Sequence, residues 1–163
     1  MSAAGTTQDD NKPCILVVDD SRVVRVSVSR ALDGAFQVLQ AEDGEIGINR
    51  AKALKPDLVI SDINMPNLDG YGFICRLRAE DEDSLADVPI IVITSAEEDT
   101  VRERAYACGA NAFILKPFNP GQLMDSVLEH IANHDASSAD LKSLYGDSIE
   151  SVIASDVVIQ DEA

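Results

Sequence analysis

The sequence predicts an α/β protein in which one five-stranded parallel sheet is doubly wound and covered by helices on both faces, in three layers. Five short runs among the 163 residues are apolar nearly throughout, which is typical of strands buried on both faces. Each run is followed by a stretch with helical spacing or helix-capping residues. This fivefold alternation of strand and helix predicts (βα)5 connectivity and a parallel sheet.

The first two units are bounded by clear end signals. Asp33-Gly34 ends the first predicted helix, and Lys55-Pro56 ends the second. The predicted elements are a strand over residues 13–18, a helix capped by Ser21 and extending to residue 32, a strand over residues 36–41 and a helix over residues 44–54.

The remaining three units follow the same pattern. The third strand is short and leads directly into Asp62, and the last helix opens with Asn119 as its cap and Pro120 at its first position. The predicted elements are a strand over residues 58–60, a helix over 69–79, an acidic loop over 80–87, a strand over 88–94, a helix over 97–108, a strand over 111–115 and a helix carrying the apolar stripe Leu123, Met124, Val127, Leu128 and Ile131.

The two ends of the chain differ from this repeat. Residues 1–12 are polar and predict a flexible N-terminal segment, so that residues 13–132 form the folded domain. Residues 133–163 hold seven Asp and Glu against one Lys and form an acidic tail or linker. A partial helical stripe in this tail predicts either an added helix or a disordered segment, and the tail is too short for an output domain.

Charge and apolar content exclude several classes of function. The net charge of −16 disfavours binding to nucleic acid or to anionic lipid, which require basic surfaces. The apolar runs are far shorter than the roughly 20 residues that span a bilayer, and the N-terminus does not resemble a secretory signal. Three scattered cysteines without metal-binding spacing predict reduced, mostly buried thiols. We therefore expect a cytoplasmic protein with no membrane partner.

Polar side chains stand where the predicted strands end. Asp19-Asp20 follow the first strand, Asp62 the third, Thr94 ends the fourth and Lys116 follows the fifth. The carboxyl ends of parallel strands meet at one edge of a sheet, so these side chains are expected to converge there. Clustered carboxylates repel one another unless a cation lies among them, and Mg²⁺ (or Mn²⁺) suits oxygen ligands. A carboxylate beside a metal, a lysine and a hydroxyl can act as a nucleophile toward phosphorus.

Sequence motifs of other phosphate-binding folds are missing. No GxGxxG follows the first strand and no GxxxxGK[ST] occurs, so dinucleotide-binding and P-loop functions are disfavoured. Instead, four motifs in order resemble the receiver domains of two-component response regulators, whose fold is flavodoxin-like. They are ILVVDDS at 15–21, VISDINMPNLDG at 59–70, IIVITSA at 90–96 and FILKPF at 113–118, within a resemblance that covers residues 13–132.

The resemblance implies a phosphoacceptor and a metal site. Asp62 would accept a phosphoryl group from a histidine kinase or a histidine phosphotransfer protein. Asp20 would bind the metal directly and Asp19 would help through water. Asp62 itself would be a further ligand, and Asn64 would offer its backbone carbonyl. The chain would then catalyse its own Mg²⁺-dependent phosphorylation and dephosphorylation, and would not be a metabolic enzyme.

The resemblance also implies a switch. Lys116 would contact the phosphoryl group, and its bond to Pro117 is a candidate cis peptide. Thr94 would hydrogen-bond the phosphoryl group, and Phe113 would swing inward behind it. An output face would then bind a downstream protein, act on an output domain of a longer chain, or form a phosphorylation-induced homodimer; its expected members are Arg102, Tyr106, Phe113 and Gln122.

Two other functions remain open at this point. A constitutive scaffold would keep the fold without the chemistry, which the presence of Asp20, Asp62 and Lys116 argues against. A phosphohydrolase with an aspartyl-phosphate nucleophile usually has a second acid close behind the nucleophile, where this chain has Asn64. Simpler roles also stand beside the proposed ones: Asp19 could cap the first helix, Thr94 could be an ordinary strand residue, and Phe113 could be fixed core.

Overall fold

A computed structural model describes residues 12–134 of the chain. Five strands and five longer helices alternate along it, with a one-turn helix in addition before the fourth strand. The strands are β1 (Cys14–Val18), β2 (Gln37–Ala41), β3 (Leu58–Ser61), β4 (Ile90–Thr94) and β5 (Ala112–Leu115). The helices are α1 (Arg22–Leu32), α2 (Gly44–Leu54), α3 (Gly70–Arg78), the one-turn helix (Asp83–Ala86), α4 (Asp99–Cys108) and α5 (Pro120–His134).

The five strands form one parallel sheet in the order β2-β1-β3-β4-β5. The chain first moves outward from β1 to β2 and then crosses to β3 on the other side of β1. The strand order therefore reverses between β1 and β3. In such sheets the loops that follow these two strands lead to opposite faces of the sheet, and ligands bind in the crevice between them. The predicted doubly wound, flavodoxin-like fold is confirmed.

Alternation along the strands divides the core into two layers. Ile15 and Val17 of β1 face one cluster, together with the buried stripes of α1 and α5. Leu16 and Val18 face the other cluster, which α2, α3 and α4 cover. Because successive strand residues point to opposite faces, a strand buried on both sides must be apolar throughout. This is the reason for the apolar runs in the sequence.

The helix starts follow the predicted caps. The Ser21 side chain accepts a hydrogen bond from the backbone N–H of Val24 at 3.3 Å, at the start of α1. The Asn119 side chain accepts bonds from the backbone N–H groups of Gly121 at 2.7 Å and Gln122 at 3.2 Å. Both caps satisfy donors that the first turn of a helix leaves without partners.

Three predictions need correction. Residues 80–87 are not only a loop, because they contain the one-turn helix, whose Leu85 is buried in the core cluster that includes Phe73 and Leu77 of α3. The fourth helix begins at Asp99, two residues later than predicted, after the N-cap Glu98. The cysteines are free but not mostly buried: Cys75 is exposed, since Phe73, Ile74 and Leu77 take the buried side of α3, and Cys14 and Cys108 are half-buried.

Other predictions fall outside the described part of the chain. The flexible segment and nearly all of the acidic tail lie there, so the proposed domain limits stay predictions. Within residues 12–134, no helix has both the length and the apolar content needed to cross a membrane.

Candidate functional site

The register of the sheet brings Asp19 and Asp62 together. Val18 of β1 pairs with Ser61 of β3, so the next residue of each strand is an aspartate at the same edge. The Asp62 N–H donates to the Val18 carbonyl at 3.0 Å, which holds the ends of the two strands together. Both carboxylates are nearly inaccessible to solvent, whereas Asp20 is exposed beside them.

One ammonium group lies between the two buried carboxylates. Lys116 Nζ is 3.1 Å from Asp19 Oδ2 and 3.2 Å from Asp62 Oδ2, and its side chain is 5% exposed. The other carboxylate oxygens accept backbone bonds, Asp19 Oδ1 from the Ser21 N–H at 2.8 Å and Asp62 Oδ1 from the Ile63 N–H at 2.6 Å. These bonds orient the Asp62 carboxylate so that its Oδ2 faces Lys116.

The charges shift the protonation of this cluster. Burial raises the pKa of the Asp19 carboxyl to about 6, and the charge of Asp62 acts in the same direction against the opposing effect of Lys116. Burial alone would lower the pKa of Lys116, but the charges of Asp62 and Asp19 outweigh it and leave that pKa raised. The lysine thus remains an ammonium beside the two carboxylates that it contacts.

The acidic residues fit a hard divalent cation. Carboxylate oxygens of Asp19, Asp20 and Asp62 lie within 4.8 Å of one another. An ion that binds oxygen at about 2.1 Å joins oxygens up to about 4.2 Å apart, so small rotations bring these three into reach. Burial and neighbouring negative charge keep the pKa of Asp19 raised, and a cation among the three carboxylates would lower it. The donor set therefore suits Mg²⁺ or Mn²⁺.

The loop after β3 is held tightly against its surroundings. Asn64 lies in it, exposed, two residues beyond Asp62. Farther on, Asn67 has a positive φ of 69° and its amide donates to Asp43 Oδ2 at 2.7 Å. Asp43 also caps α2 by accepting from the Ile46 N–H at 2.9 Å. These bonds anchor the loop to α2, and the role of the Asn64 carbonyl as a metal ligand stays a prediction.

Thr94 and Lys116 stand side by side at the ends of β4 and β5. The Lys116 N–H donates to the Thr94 carbonyl at 2.9 Å, and Thr94 itself is fully buried. The Thr94 hydroxyl oxygen accepts from the Ala96 N–H at 3.3 Å. The peptide between Lys116 and Pro117 is cis, the geometry that the resemblance implies. Thr94 is thus at the expected edge of the sheet, with its hydroxyl engaged in its own loop.

The expected output face contains one well-defined contact. The Arg102 guanidinium lies over the Phe113 ring, 5.3 Å from its centroid. Phe113 is half-buried and packs against the cluster covered by α2, α3 and α4. Tyr106 is 45% exposed on α4, and Gln122 is exposed in the first turn of α5. Membership of these last two residues in a shared face stays a prediction.

Sequence reasoning missed Arg25, which supports the Asp19 backbone. Its guanidinium is buried and donates to the Asp19 carbonyl at 2.7 Å and to Gln40 Oε1 at 3.1 Å. Gln40 in turn donates to the Ser29 hydroxyl at 3.2 Å. The available signal was a charged residue on the apolar side of α1, one position after Val24 and three before Val28.

Comparisons with known proteins agree with this geometry. Residues 15–128 match the family model described as the response regulator receiver domain. The KDP operon transcriptional regulatory protein KdpE of Escherichia coli is 32% identical over 126 residues, which cover 77% of this chain and 54% of that protein. The transcriptional regulatory protein PrrA of Mycobacterium leprae is 36% identical over 118 residues, covering 72% and 49%. The chain spans about half the length of these curated relatives.

Solved structures with the same fold cover the described domain. The chemotaxis protein CheY4 of Vibrio cholerae superposes with a TM-score of 0.68 at 31% identity, covering 73% of this chain and 98% of that one. The receiver domain of sensor histidine kinase PA1611 from Pseudomonas aeruginosa has a TM-score of 0.69 at 27% identity, covering 74% and 98%, and holds a magnesium ion in its active site cleft.

Proposed function

The chain belongs to the response regulator receiver domain family of two-component signalling, and from that premise we propose that Asp62 is its phosphoacceptor. The observation that carries the proposal is the position of Lys116 Nζ, close to Asp62 Oδ2 and Asp19 Oδ2 in a cluster of three carboxylates. A nucleophilic carboxylate, a cation-binding pair of acids and a fixed ammonium are the groups that phosphoryl transfer requires.

In the transfer, an Asp62 carboxylate oxygen attacks phosphorus and forms the new P–O bond. The bond from phosphorus to the donor nitrogen of a phosphohistidine, or to the donor oxygen of acetyl phosphate, breaks in line with it. Lys116 neutralises charge on the transferring oxygens, from a buried position where such an interaction is strong. Asp19 and Asp20 would hold Mg²⁺, with the Asn64 carbonyl as a further ligand, and the ion would supply additional charge neutralisation at the phosphoryl oxygens.

Phosphorylation would act as a binding switch. Thr94 ends the strand next to Lys116, so its hydroxyl would exchange the Ala96 N–H for the phosphoryl group. That exchange would bias a two-state equilibrium of the β4–α4 loop and of Phe113, and would alter the face that includes Arg102, Tyr106 and Gln122. The partners would be a histidine kinase or histidine phosphotransfer protein upstream and, downstream, another protein, an output domain or a second copy of the chain.

The experiment is phosphorylation by acetyl phosphate, followed by intact mass measurement. We expect a gain of one phosphoryl group in the presence of Mg²⁺ and no gain after chelation. Asp62→Asn should abolish the gain. The matched control is Asp125→Asn. It removes an exposed carboxylate of α5 that is not part of the acidic site, and it should leave phosphorylation unchanged.

The outcomes separate the proposal from its rivals. A phosphoryl group that persists in the Asp62→Asn protein would contradict the assignment of the acceptor. If the wild-type protein neither gains mass nor binds beryllofluoride with Mg²⁺, the constitutive scaffold becomes the better explanation. Steady release of phosphate from free phosphate esters would instead favour a phosphohydrolase.

A further inference from the structure

Two cysteines outside the acidic site lie on neighbouring helices. Cys75 is an exposed residue of α3, and Cys108 is the half-buried last residue of α4. Burial raises the pKa of the Cys108 thiol, and the neighbouring Cys75 thiol raises it further. The third cysteine, Cys14, is in β1, where its N–H donates to the Asp57 carboxylate at 2.7 Å.

A second contact fixes how α3 and α4 face each other. The Arg104 guanidinium lies 4.0 Å from the centroid of the Tyr71 ring. Tyr71 stands one helical turn before Cys75, and Arg104 stands one turn before Cys108. Both helices follow strands of the same parallel sheet and therefore run in the same direction. One turn beyond the Arg104–Tyr71 contact, Cys75 and Cys108 are thus at matching positions on the two facing helices.

We propose that Cys75 and Cys108 form a reversible intramolecular disulfide under peroxide, which makes the contact between α3 and α4 a redox-sensitive modification site. The Cys75 sulfur attacks one oxygen of hydrogen peroxide, the O–O bond breaks, and one water leaves as Cys75 becomes a sulfenic acid. The Cys108 sulfur then attacks the Cys75 sulfur, and the hydroxyl group leaves as a second water with the Cys108 proton. Two thiols are oxidised by two electrons while one peroxide is reduced to two waters.

Exposure decides the order of the two steps. Cys75 meets a dissolved oxidant first because it is exposed. Burial and the neighbouring Cys75 raise the pKa of Cys108 to about 11, so Cys108 is protonated and is a poor first target for the oxidant. Burial, with the charge of Asp57, likewise raises the pKa of Cys14 to about 11, so Cys14 is a poor competitor for the oxidant.

The disulfide would connect α3 and α4, the two helices that follow Asp62 and Thr94 in the chain. α3 starts at Gly70, whose N–H bonds to the Ile63 carbonyl, and α4 starts five residues after Thr94. Joining them would restrain α4 relative to α3 and slow hydrogen exchange in α4. The pairing itself does not depend on phosphoryl transfer, so its test is separate from that of the proposed function.

The test counts free thiols in the full 163-residue chain. The protein is treated with hydrogen peroxide, quenched with catalase, denatured and alkylated with N-ethylmaleimide, and its intact mass is measured. The reduced protein has three cysteines to label. After oxidation we expect one label, a loss of two hydrogens, a proteolytic peptide pair that links Cys75 to Cys108, and three labels again after dithiothreitol.

Variants identify the partners. Cys14→Ser should still lose both of its labels on oxidation, and Cys75→Ser should keep two. Cys108→Ser should form no intramolecular disulfide and should gain oxygen instead, because its Cys75 sulfenic acid has no resolving thiol. In the wild-type protein, three labels after peroxide, added oxygen in place of the lost hydrogens, or linked dimers would each overturn the proposal, as would a disulfide that persists in Cys75→Ser. If a variant does not fold, the linked peptide from the wild-type protein is sufficient to identify the pair.

Discussion

At the scale of single residues, the site depends on carboxylates and an ammonium group that are buried almost completely from solvent. Asp19 and Asp62 end neighbouring strands, and Lys116 meets both from a third strand. Removing one member of such a buried cluster leaves the remaining charges without their partner and therefore destabilises them, since each charge is stabilised mainly by its neighbours. Substitutions of Lys116 and Asp19 test that dependence in different ways.

Lys116→Met should slow phosphorylation far more than it affects metal binding. The variant loses the charge that faces Asp62 Oδ2, and loss of one such preorganised donor commonly lowers a rate by about 100-fold. Affinity for Mg²⁺ should not fall, because a competing positive charge has left the carboxylates. The measurements are the acetyl phosphate rate and a Mg²⁺ titration.

The matched control for this variant is Lys52→Met. Lys52 is an exposed lysine of α2 whose ammonium is 3.6 Å from Glu80, and its loss should leave both the rate and the affinity unchanged. Equal losses of rate and Mg²⁺ affinity in Lys116→Met would show instead that Lys116 serves to hold the site together.

Asp19 should make stability fall between about pH 4 and about pH 6 when no divalent ion is present. Its pKa is raised from 3.8 to about 6, so in this range the folded protein holds a proton that the unfolded chain releases. Stability from this group is therefore present at low pH and lost as the pH rises, by an amount on the order of 3 kcal/mol. Denaturant unfolding of wild type and Asp19→Asn across this range measures the difference.

Mg²⁺ should remove this decline, because a ligated carboxylate is ionised in the folded state. Chelation should restore it. A difference between wild type and Asp19→Asn that stays constant from pH 4 to pH 7 would contradict the raised pKa.

At the scale of elements, α3 can start where it does only because its first residue is glycine. A Cβ at Gly70 would lie 2.2 Å from the Asp62 carbonyl oxygen and 2.6 Å from Ile63 Cα, both backbone atoms that cannot rotate away. The helix start is therefore packed against the chain that carries the proposed phosphoacceptor. Helix position and site geometry are coupled at this contact.

Gly70→Ala should cost about 1–3 kcal/mol of unfolding free energy, because α3 must move away from the end of β3. The 2.8 Å bond from the Gly70 N–H to the Ile63 carbonyl should weaken at the same time, and phosphorylation should slow. Urea unfolding and the acetyl phosphate rate are the measurements. Gly34→Ala is the control, since no heavy atom lies within 4 Å of its added Cβ, and its cost should stay below about 0.5 kcal/mol. Equal costs for the two variants would refute the close-contact explanation.

At the scale of the whole molecule, one arginine joins segments that are distant in the sequence. Arg78, at the end of α3, donates to the carbonyls of Ala86, Val88 and Gly109 and to the Asn111 side chain at 2.6–3.0 Å. These acceptors belong to the one-turn helix and to the segments that lead into β4 and β5. Arg78 thereby joins the end of α3 to the one-turn helix and to the segments that precede β4 and β5.

Arg78→Met should lower the unfolding free energy by about 2–4 kcal/mol, because several half-buried carbonyls lose a charged donor together. Arg76→Met is the control on the same helix. Its guanidinium pairs with Glu45 at 3.1 Å, but both side chains are about half exposed, so its loss should cost less than about 1 kcal/mol. Denaturant melts of both variants measure the two costs; a cost for Arg78→Met no larger than that of the control would contradict the structural role.

The fold class, the strands, the five longer helices and the meeting of Asp19, Asp62 and Lys116 at one edge of the sheet could be predicted from the amino-acid sequence alone. Apolar runs and caps are local signals, and residues at the ends of parallel strands meet whatever the details of packing. This is why Asp19, Asp62 and Lys116 could be placed at one edge beforehand. The one-turn helix was missed because its cause, the burial of Leu85, depends on the core cluster that Leu85 joins in the folded chain.

Which groups touch one another became known only from the folded structure. The structure shows the strand order, the position of Lys116 between two particular carboxylates and the support of Asp19 by Arg25. Each of these relations joins residues on different elements. Local periodicity carries no information about the register or rotation of one element against another. Those are set by the packing of the two core layers on either side of the sheet, which is a property of the assembled chain.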